Sequence, residues 1–246
     1  LTLTTRTRFL VCITALLMAA GTASGEGLPP EDGPWELRKE SDGIQIYTTE
    51  YAGSDFEAFK AVTVLDASIE QLMAVMINPK SCLEWVHNCI VSRAFGEGDF
   101  YDRYAYSVND MPWPVADRDY VLHINTRGDK ASNQVVMRLN AVPGARKEND
   151  DYQRVEVSDT LYRFEPVNAN KTRLVWVQHT EPNGAIPSWL VNSLVVDIPL
   201  KSIKNLEQVA QQDKYNGYEL IYDKEGQLSG IAKAINKTGQ TRGDDE

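Results

Sequence analysis

The chain has little with which to do chemistry. Its 246 residues include 3 histidines, His87, His123 and His179, which stand far apart with no metal-ligand spacing among them. There is no Gly-x-Ser-x-Gly elbow and no phosphate-cradling glycine loop, so the signals of a serine hydrolase or a P-loop nucleotide enzyme are missing. Asp117-Arg118-Asp119 comes nearest to an acid pair. Adjacent strand residues point to opposite faces, so the two aspartates share a side while the arginine faces away. A hydrogen-bonded cluster fixing the start of a strand explains the three better than catalysis does. No catalytic set, metal site or cofactor is expected.

Positive charge is scarce too. The formal net charge is −10 with no basic cluster, which argues against nucleic acid and against standing attraction to anionic lipid. Long apolar runs are confined to the start. Arg6 and Arg8 precede the run Phe9 to Ala20, and small residues follow through Ala23, Ser24 and Gly25. This is the pattern of a signal peptide over residues 1–25, too short in its apolar part for a membrane span. The protein is therefore expected to be exported, periplasmic or secreted. Its net charge falls to −12 once the two leader arginines are removed, since the leader holds no acid.

Cysteine is equally rare. Past the leader only Cys82 and Cys89 remain, and two nearby thiols in an oxidising compartment pair. Seven residues of continuous helix would separate them by about 10 Å, too far for a bridge. A Cys82–Cys89 disulfide therefore needs a helix that ends near His87-Asn88 and a chain that doubles back. Zinc held with His87 is a competing reading, with too few ligands to be specific. A redox dithiol is another, at an unusually wide spacing.

What the chain does have is alternation. Residues 26–34 read as a linker, and Trp35 to Lys39 as a short helix capped by Asp32. Gly43–Thr48 and Phe56–Leu65 read as strands. Ser68, with Gln71 completing a capping box, starts a helix whose buried side is Leu72, Met73, Val75 and Met76. Asn78-Pro79 ends it and opens a shorter one through Trp85. Strands are then expected over Ile90–Phe95, Phe100–Val108, Arg118–Thr126, Gln134–Asn140, Gln153–Phe164 (broken near Ser158-Asp159) and Thr172–Thr180. The gaps allow hairpins and leave no room for crossover helices, so the sheet is antiparallel. The tail, 213–246, offers a marginal strand at Tyr218–Tyr222 and then turns polar, with disorder expected at its end.

The terminal helix, Ile186 to Gln211, is the unusual element. Ile186, Trp189, Leu190, Val191, Leu194, Val195, Val196 and Ile198 surround its axis instead of forming a stripe, so this half is buried or touches something else apolar. Pro187 suits the helix start and Pro199 is expected to kink it. Beyond Pro199 an ordinary stripe follows: Ile203, Leu206 and Ala210. A half-helix with surplus apolar surface joined to a half-helix with a docking face suggests a lid. The class is α+β, a curved antiparallel sheet wrapped around this helix.

Met111-Pro-Trp-Pro-Val-Ala-Asp-Arg-Asp-Tyr-Val121 resembles the START domain family, lipid-binding modules related to the steroidogenic acute regulatory protein. Lys171-Thr-Arg-Leu-Val-Trp176 is similar to that family's final strand. Ile186-Pro187, Asn205-Leu206 and the Cys82–Cys89 segment fit as well, the last resembling secreted bacterial members. The resemblance spans about Trp35 to Gln211, so the domain is placed at 35–212. It implies a helix-grip fold with one lipid or sterol-like molecule in a tunnel, gated by the 109–115 loop and the first half of the helix. Trp113, Val115, Trp189, Leu190, Leu194 and Ile198 are then lid and wall candidates, with Tyr104, Tyr106 and Trp176 lining the sheet; plain core packing is the competing role for each. Steroid carriers place a buried arginine within what is here Val121–Asn125, which contains none, so phospholipid, fatty acid or another apolar cargo stays open. The expected partner is a hydrophobic small molecule or lipid, with transient membrane contact and a monomeric state. Two other readings stand beside the carrier. One is a cyclase- or hydrolase-type enzyme with Asp102, Arg103 or His123 in the cavity, and the other is a lipid-sensing module that transfers nothing.

Overall fold

The computed structural model describes residues 27–184 and 186–234, without the side chains of Ser188, Trp189, Asn192 and Ser193. The expected leader, the side chain of Trp189 and the polar end of the tail from 235 onward lie outside the described residues.

The described residues open with three strands, β1 (Glu36–Ser41), β2 (Ile44–Thr49) and β3 (Ala58–Leu65), followed by two short helices, α1 (Ile69–Ile77) and α2 (Cys82–Trp85). Seven strands come next: β4 (Cys89–Phe95), β5 (Asp102–Asn109), β6 (Arg118–Asp129), β7 (Gln134–Ala141), β8 (Gln153–Arg154), β9 (Val157–Asn168) and β10 (Lys171–Glu181). The long helix α3 (Ser188–Ala210) and a hairpin, β11 (Tyr218–Tyr222) and β12 (Leu228–Lys233), follow. Among the described residues ten strands share one sheet, in the order β1-β2-β3-β10-β9-β7-β6-β5-β4, with β8 alongside β6. The pairings are antiparallel apart from β6 with β8. This is the α+β helix-grip arrangement: α3 lies against one face of the curved sheet, and Ile203, Leu206, Val209 and Ala210 are buried with Trp176, Phe164 and Ile46.

Local signals account for most of the boundaries. Ser68 caps α1, accepting from Gln71 N at 3.2 Å while the Gln71 side chain accepts from Ser68 N at 2.9 Å. α2 ends at Trp85, and Asn88 adopts a φ of 72°, which reverses the chain and brings the Cα atoms of the disulfide-bonded Cys82 and Cys89 to 5.9 Å. α3 runs through Pro199, whose missing N–H leaves the Val195 carbonyl without its helical partner. Pro187 stands one residue before the first helical position, as the N-cap.

Three expectations are corrected. Residues 36–41 form strand β1, because pairing with β2 outweighs the modest helix propensity of Glu-Leu-Arg-Lys. The break in the long strand falls at Val155-Glu156, where the chain leaves the edge of β6 and joins β7 and β10. The tail adds β12 to the expected strand, and Leu228 is fully buried against Gly128 of β6. A Cβ at Gly128 would stand 2.6 Å from the Gln134 carbonyl, so only glycine admits this close packing. Residues 27–34 are tied to the outer face of the sheet: Lys60 Nζ donates to the Glu31 carbonyl at 2.7 Å, Arg163 pairs with Glu31, and Leu28 packs on the cluster of Leu161, Val175 and Val177.

His179 on β10 is buried, stacked on Tyr51 with ring centroids 3.8 Å apart. Burial pushes its imidazole below the ordinary value, while Glu181 and Asp159 pull the other way. The unfolded chain then takes up a proton near pH 6.5 that the folded chain refuses, so stability falls as pH drops through about 6.5. Lowering the pH from about 7.5 to about 5.5 is expected to shift the urea midpoint of the wild type more than that of His179→Gln. Equal shifts would place the acid sensitivity elsewhere.

Candidate functional site

Between the sheet and the helices lies a cavity of about 240 Å³. Its floor follows from the cross-strand register. Arg103 on β5 stands opposite Ile124 on β6, Ile124 opposite Leu139 on β7, Leu139 opposite Thr160 on β9, and Thr160 opposite Gln178 on β10. The next rung toward β10 carries Met137, Tyr162 and Trp176, and toward the other end the floor continues through Ala105, Leu122, Ser107 and Tyr120. The roof is made by Met76 and Ile77 of α1, Cys82 and Trp85 of α2 with the Val86 that follows it, and Ile198 of α3. The wall is apolar apart from hydroxyls, three amides and one guanidinium. Tyr120 is enclosed, and burial pushes its phenol up to about 12, so it stays neutral.

The sequence candidates separate into groups. Trp176 and Ile198 line the cavity; Tyr104 borders it, but its ring lies on the outward face, 5.7 Å from Phe95 and 5.0 Å from His123. Tyr106 lies on the other face of the sheet, buried with Val108 and Val121, its ring covered by the guanidinium groups of Arg93 at 4.9 Å and Arg146 at 4.5 Å. The inward residues of β5 are Arg103 at one end and then the small Ala105 and Ser107, because a cavity needs space where a core needs bulk. Leu190 and Leu194 are half-buried in α3 without lining the cavity, as is Val115 in its loop. Trp113 is 92% exposed. The roof residues of α1 and α2 were missed as lining; the Met76-Ile77 end of an otherwise ordinary buried helix face gave the only local cue.

Asp117, Arg118 and Asp119 form a structural hub. Asp117 accepts from Met111 N at 3.0 Å and so holds the 109–115 loop. Arg118 donates to the carbonyls of Pro182 at 3.0 Å and Asn183 at 2.7 Å, fixing the entry to α3. Asp119 takes two bonds from Arg154, each 2.8 Å. Asp102 and His123 meet at 2.8 Å, but on the outward face beside Tyr104. Of the three residues considered for an enzyme, Arg103 alone enters the cavity. Among the described residues no group of acids, histidines and cysteines could hold a metal.

Comparison with known proteins agrees with this geometry. The START domain description fits residues 30–214. An uncharacterized protein of Pseudomonas aeruginosa is 32% identical over 205 residues, 83% of this chain and 99% of its own length. The phosphatidylcholine transfer protein of Rattus norvegicus is 26% identical over 162 residues, 64% of this chain and 75% of the relative. Among solved structures, a STAR-related lipid transfer protein fragment from Xanthomonas axonopodis superposes with a TM-score of 0.67 at 26% identity, over 72% of this chain and 99% of that one. The chain belongs to the START domain family.

Proposed function

We propose that the protein is an exported carrier that holds one lipid or other hydrophobic molecule in the cavity between sheet and helices. The observation that carries this reading is a mostly apolar void in a domain whose relatives include a phosphatidylcholine transfer protein. Apolar surface is disfavoured in water by roughly 25 cal/mol per Å², so a cargo covered by Trp176, Met137, Leu139 and Ile198 crosses an aqueous compartment without any bond being broken. The present volume suits one acyl chain or a small ring system, since drug-sized sites occupy about 300–1,000 Å³. A two-chain lipid requires the mouth to widen.

The gate is the first half of α3 with the 109–115 loop. Among the described side chains the polar ties of α3 gather past Pro199: Ser202 Oγ accepts from His87 N at 2.9 Å, Asn205 donates to the Trp85 carbonyl at 3.3 Å, and Glu207 accepts from Asp66 N at 2.7 Å. Movement about Pro199 would open the cavity and leave these ties in place. Exposed Trp113, Leu83 and Ile90 surround the same region, because Asp110 N donates to the Asn88 carbonyl at 2.8 Å and draws the loop beside the α2–β4 turn. They form the membrane-touching rim in this reading. The leader sequence and the disulfide support export to an oxidising compartment.

The test is organic extraction of purified protein followed by mass spectrometry, with uptake of a fluorescent lipid as the second readout. One stoichiometric hydrophobic molecule, or saturable uptake, is expected. Empty extracts together with no uptake would sink the reading.

A further inference from the structure

One positive charge borders the cavity without a counter-charge. Arg103 projects inward from β5, and its Nη1 donates to the Phe100 carbonyl at 2.7 Å and to Thr126 Oγ1 at 3.0 Å. Its Nη2 is buried and has no hydrogen-bond partner. Among the described residues no carboxylate forms an ion pair with it. The acid whose charge it feels is Asp99, which is exposed and whose Oδ1 already accepts from the backbone of Tyr101 at 2.7 Å and Asp102 at 2.9 Å. Burial pushes the guanidinium below its ordinary value, a sign that its charged form lacks compensation. An orphaned donor on a buried cation is costly to keep unless something fills the place.

Position says what would fill it. Arg103 ends the rung that continues through Ile124 and Leu139, both apolar, to Thr160 and Gln178. A molecule lying along that rung meets a cation at one end, hydrocarbon in the middle and neutral polar groups at the other. Arg103 also borders a second, more open pocket lined by Ile77, Asp99, Phe100 and Ile231, so its head can be reached from outside the main void.

We propose that Arg103 Nη2 receives the anionic oxygens of the cargo's head, a carboxylate or a phosphate, while its tail occupies the cavity. The protein is then a carrier of acidic amphiphiles. This rests on the carrier reading and narrows it. The guanidinium has to be present in the empty protein so that the charged head replaces water with a fixed partner. Its two bonds to Phe100 and Thr126 hold it in place meanwhile.

The test uses the full chain freed of bound lipid, with pyrene-decanoic acid and its methyl ester as probes, titrated by fluorescence at a pH of about 7.5, where a carboxylic acid is ionised. The wild type is expected to bind the acid at least about tenfold more tightly than the ester, as one charge-assisted bond implies. Arg103→Gln is expected to weaken the acid about tenfold and leave the ester unchanged, with Arg103→Lys between the two. Competition by dodecanoate against dodecyl phosphate identifies the head: the tighter competitor names carboxylate or phosphate, and either supports the proposal. Equal binding of acid and ester by the wild type would overturn it and leave the carrier reading standing, and that comparison needs no variant to fold. A loss of both probes alike in a folded Arg103→Gln would make the arginine part of the wall only. Failure of the wild type to bind either probe would overturn carrier and headgroup together.

Discussion

Arg154→Ala is expected to cost the protein about 3–5 kcal/mol, a large share of the stability of a typical domain. Arg154 and Asp119 are 4% and 1% exposed, and their fork-to-fork contact is 2.8 Å on both arms. The same guanidinium also donates to the carbonyls of Pro143 at 2.7 Å and Arg146 at 3.0 Å. Asp119 raises the guanidinium's hold on its proton, so the pair stays charged. Removing one member strands the other charge in a place with little water. Asp119→Ala is expected to be similarly damaging, because it leaves the arginine with carbonyls but no anion. The double variant Asp119→Leu/Arg154→Met is expected to recover a substantial part of the loss, since neither charge remains, but not all of it, since the carbonyls of Pro143, Arg146 and Lys147 lose their donor. Urea midpoints measure all three. A single variant within about 1 kcal/mol of the wild type would refute the argument, for that is what an exposed pair is worth.

That pair also shows what a sequence does and does not reveal. Asp119 was visible as part of a cluster at a strand start, and the hub reading of Asp117-Arg118-Asp119 follows from alternation alone. Its partner Arg154 lies 35 residues away on a two-residue strand, with no periodicity to mark it. The meander, the capped helix α1, the disulfide and the long helix were legible because each is specified by neighbours: alternation, a capping box, a turn between two cysteines, a change of pattern at Pro199. Strand β1 was not, because Glu-Leu-Arg-Lys prefers helix weakly and only its pairing with β2 makes it a strand. The site was half legible. Trp176 and Ile198, which line the cavity, stand out in the sequence by their bulk, whereas Ala105, Ser107 and Thr160 line it too but look uninformative in one dimension because they are small. Tyr106 was assigned inward for the opposite reason, and a shift of one residue along β5 is enough to exchange the faces. Arg103 was noticed as reaching inward, but its unfilled Nη2 is a property of three-dimensional packing.

Ala105→Trp is expected to reduce ligand binding at least about 100-fold while leaving the melting temperature unchanged or higher. Ala105 sits in the middle of β5, facing Leu122 across the pair with β6 and Ala94 across the pair with β4, and its side chain points into the void. In a filled core an indole at this place would force its neighbours apart and destabilise the protein. Here about 240 Å³ is open, so the ring enters space a cargo would otherwise occupy and buries its own apolar surface. Stability and binding therefore move apart, which distinguishes a cavity kept for a guest from a packing defect. Val64→Trp supplies the control: Val64 is 48% exposed on β3 and does not line the void, so binding is expected to stay as in the wild type. The readouts are fluorescent fatty acid titration and thermal melts on the same preparations. If Ala105→Trp binds as well as the wild type, the ligand lies elsewhere. If it melts far lower, the interior is packed more tightly than a carrier's can be.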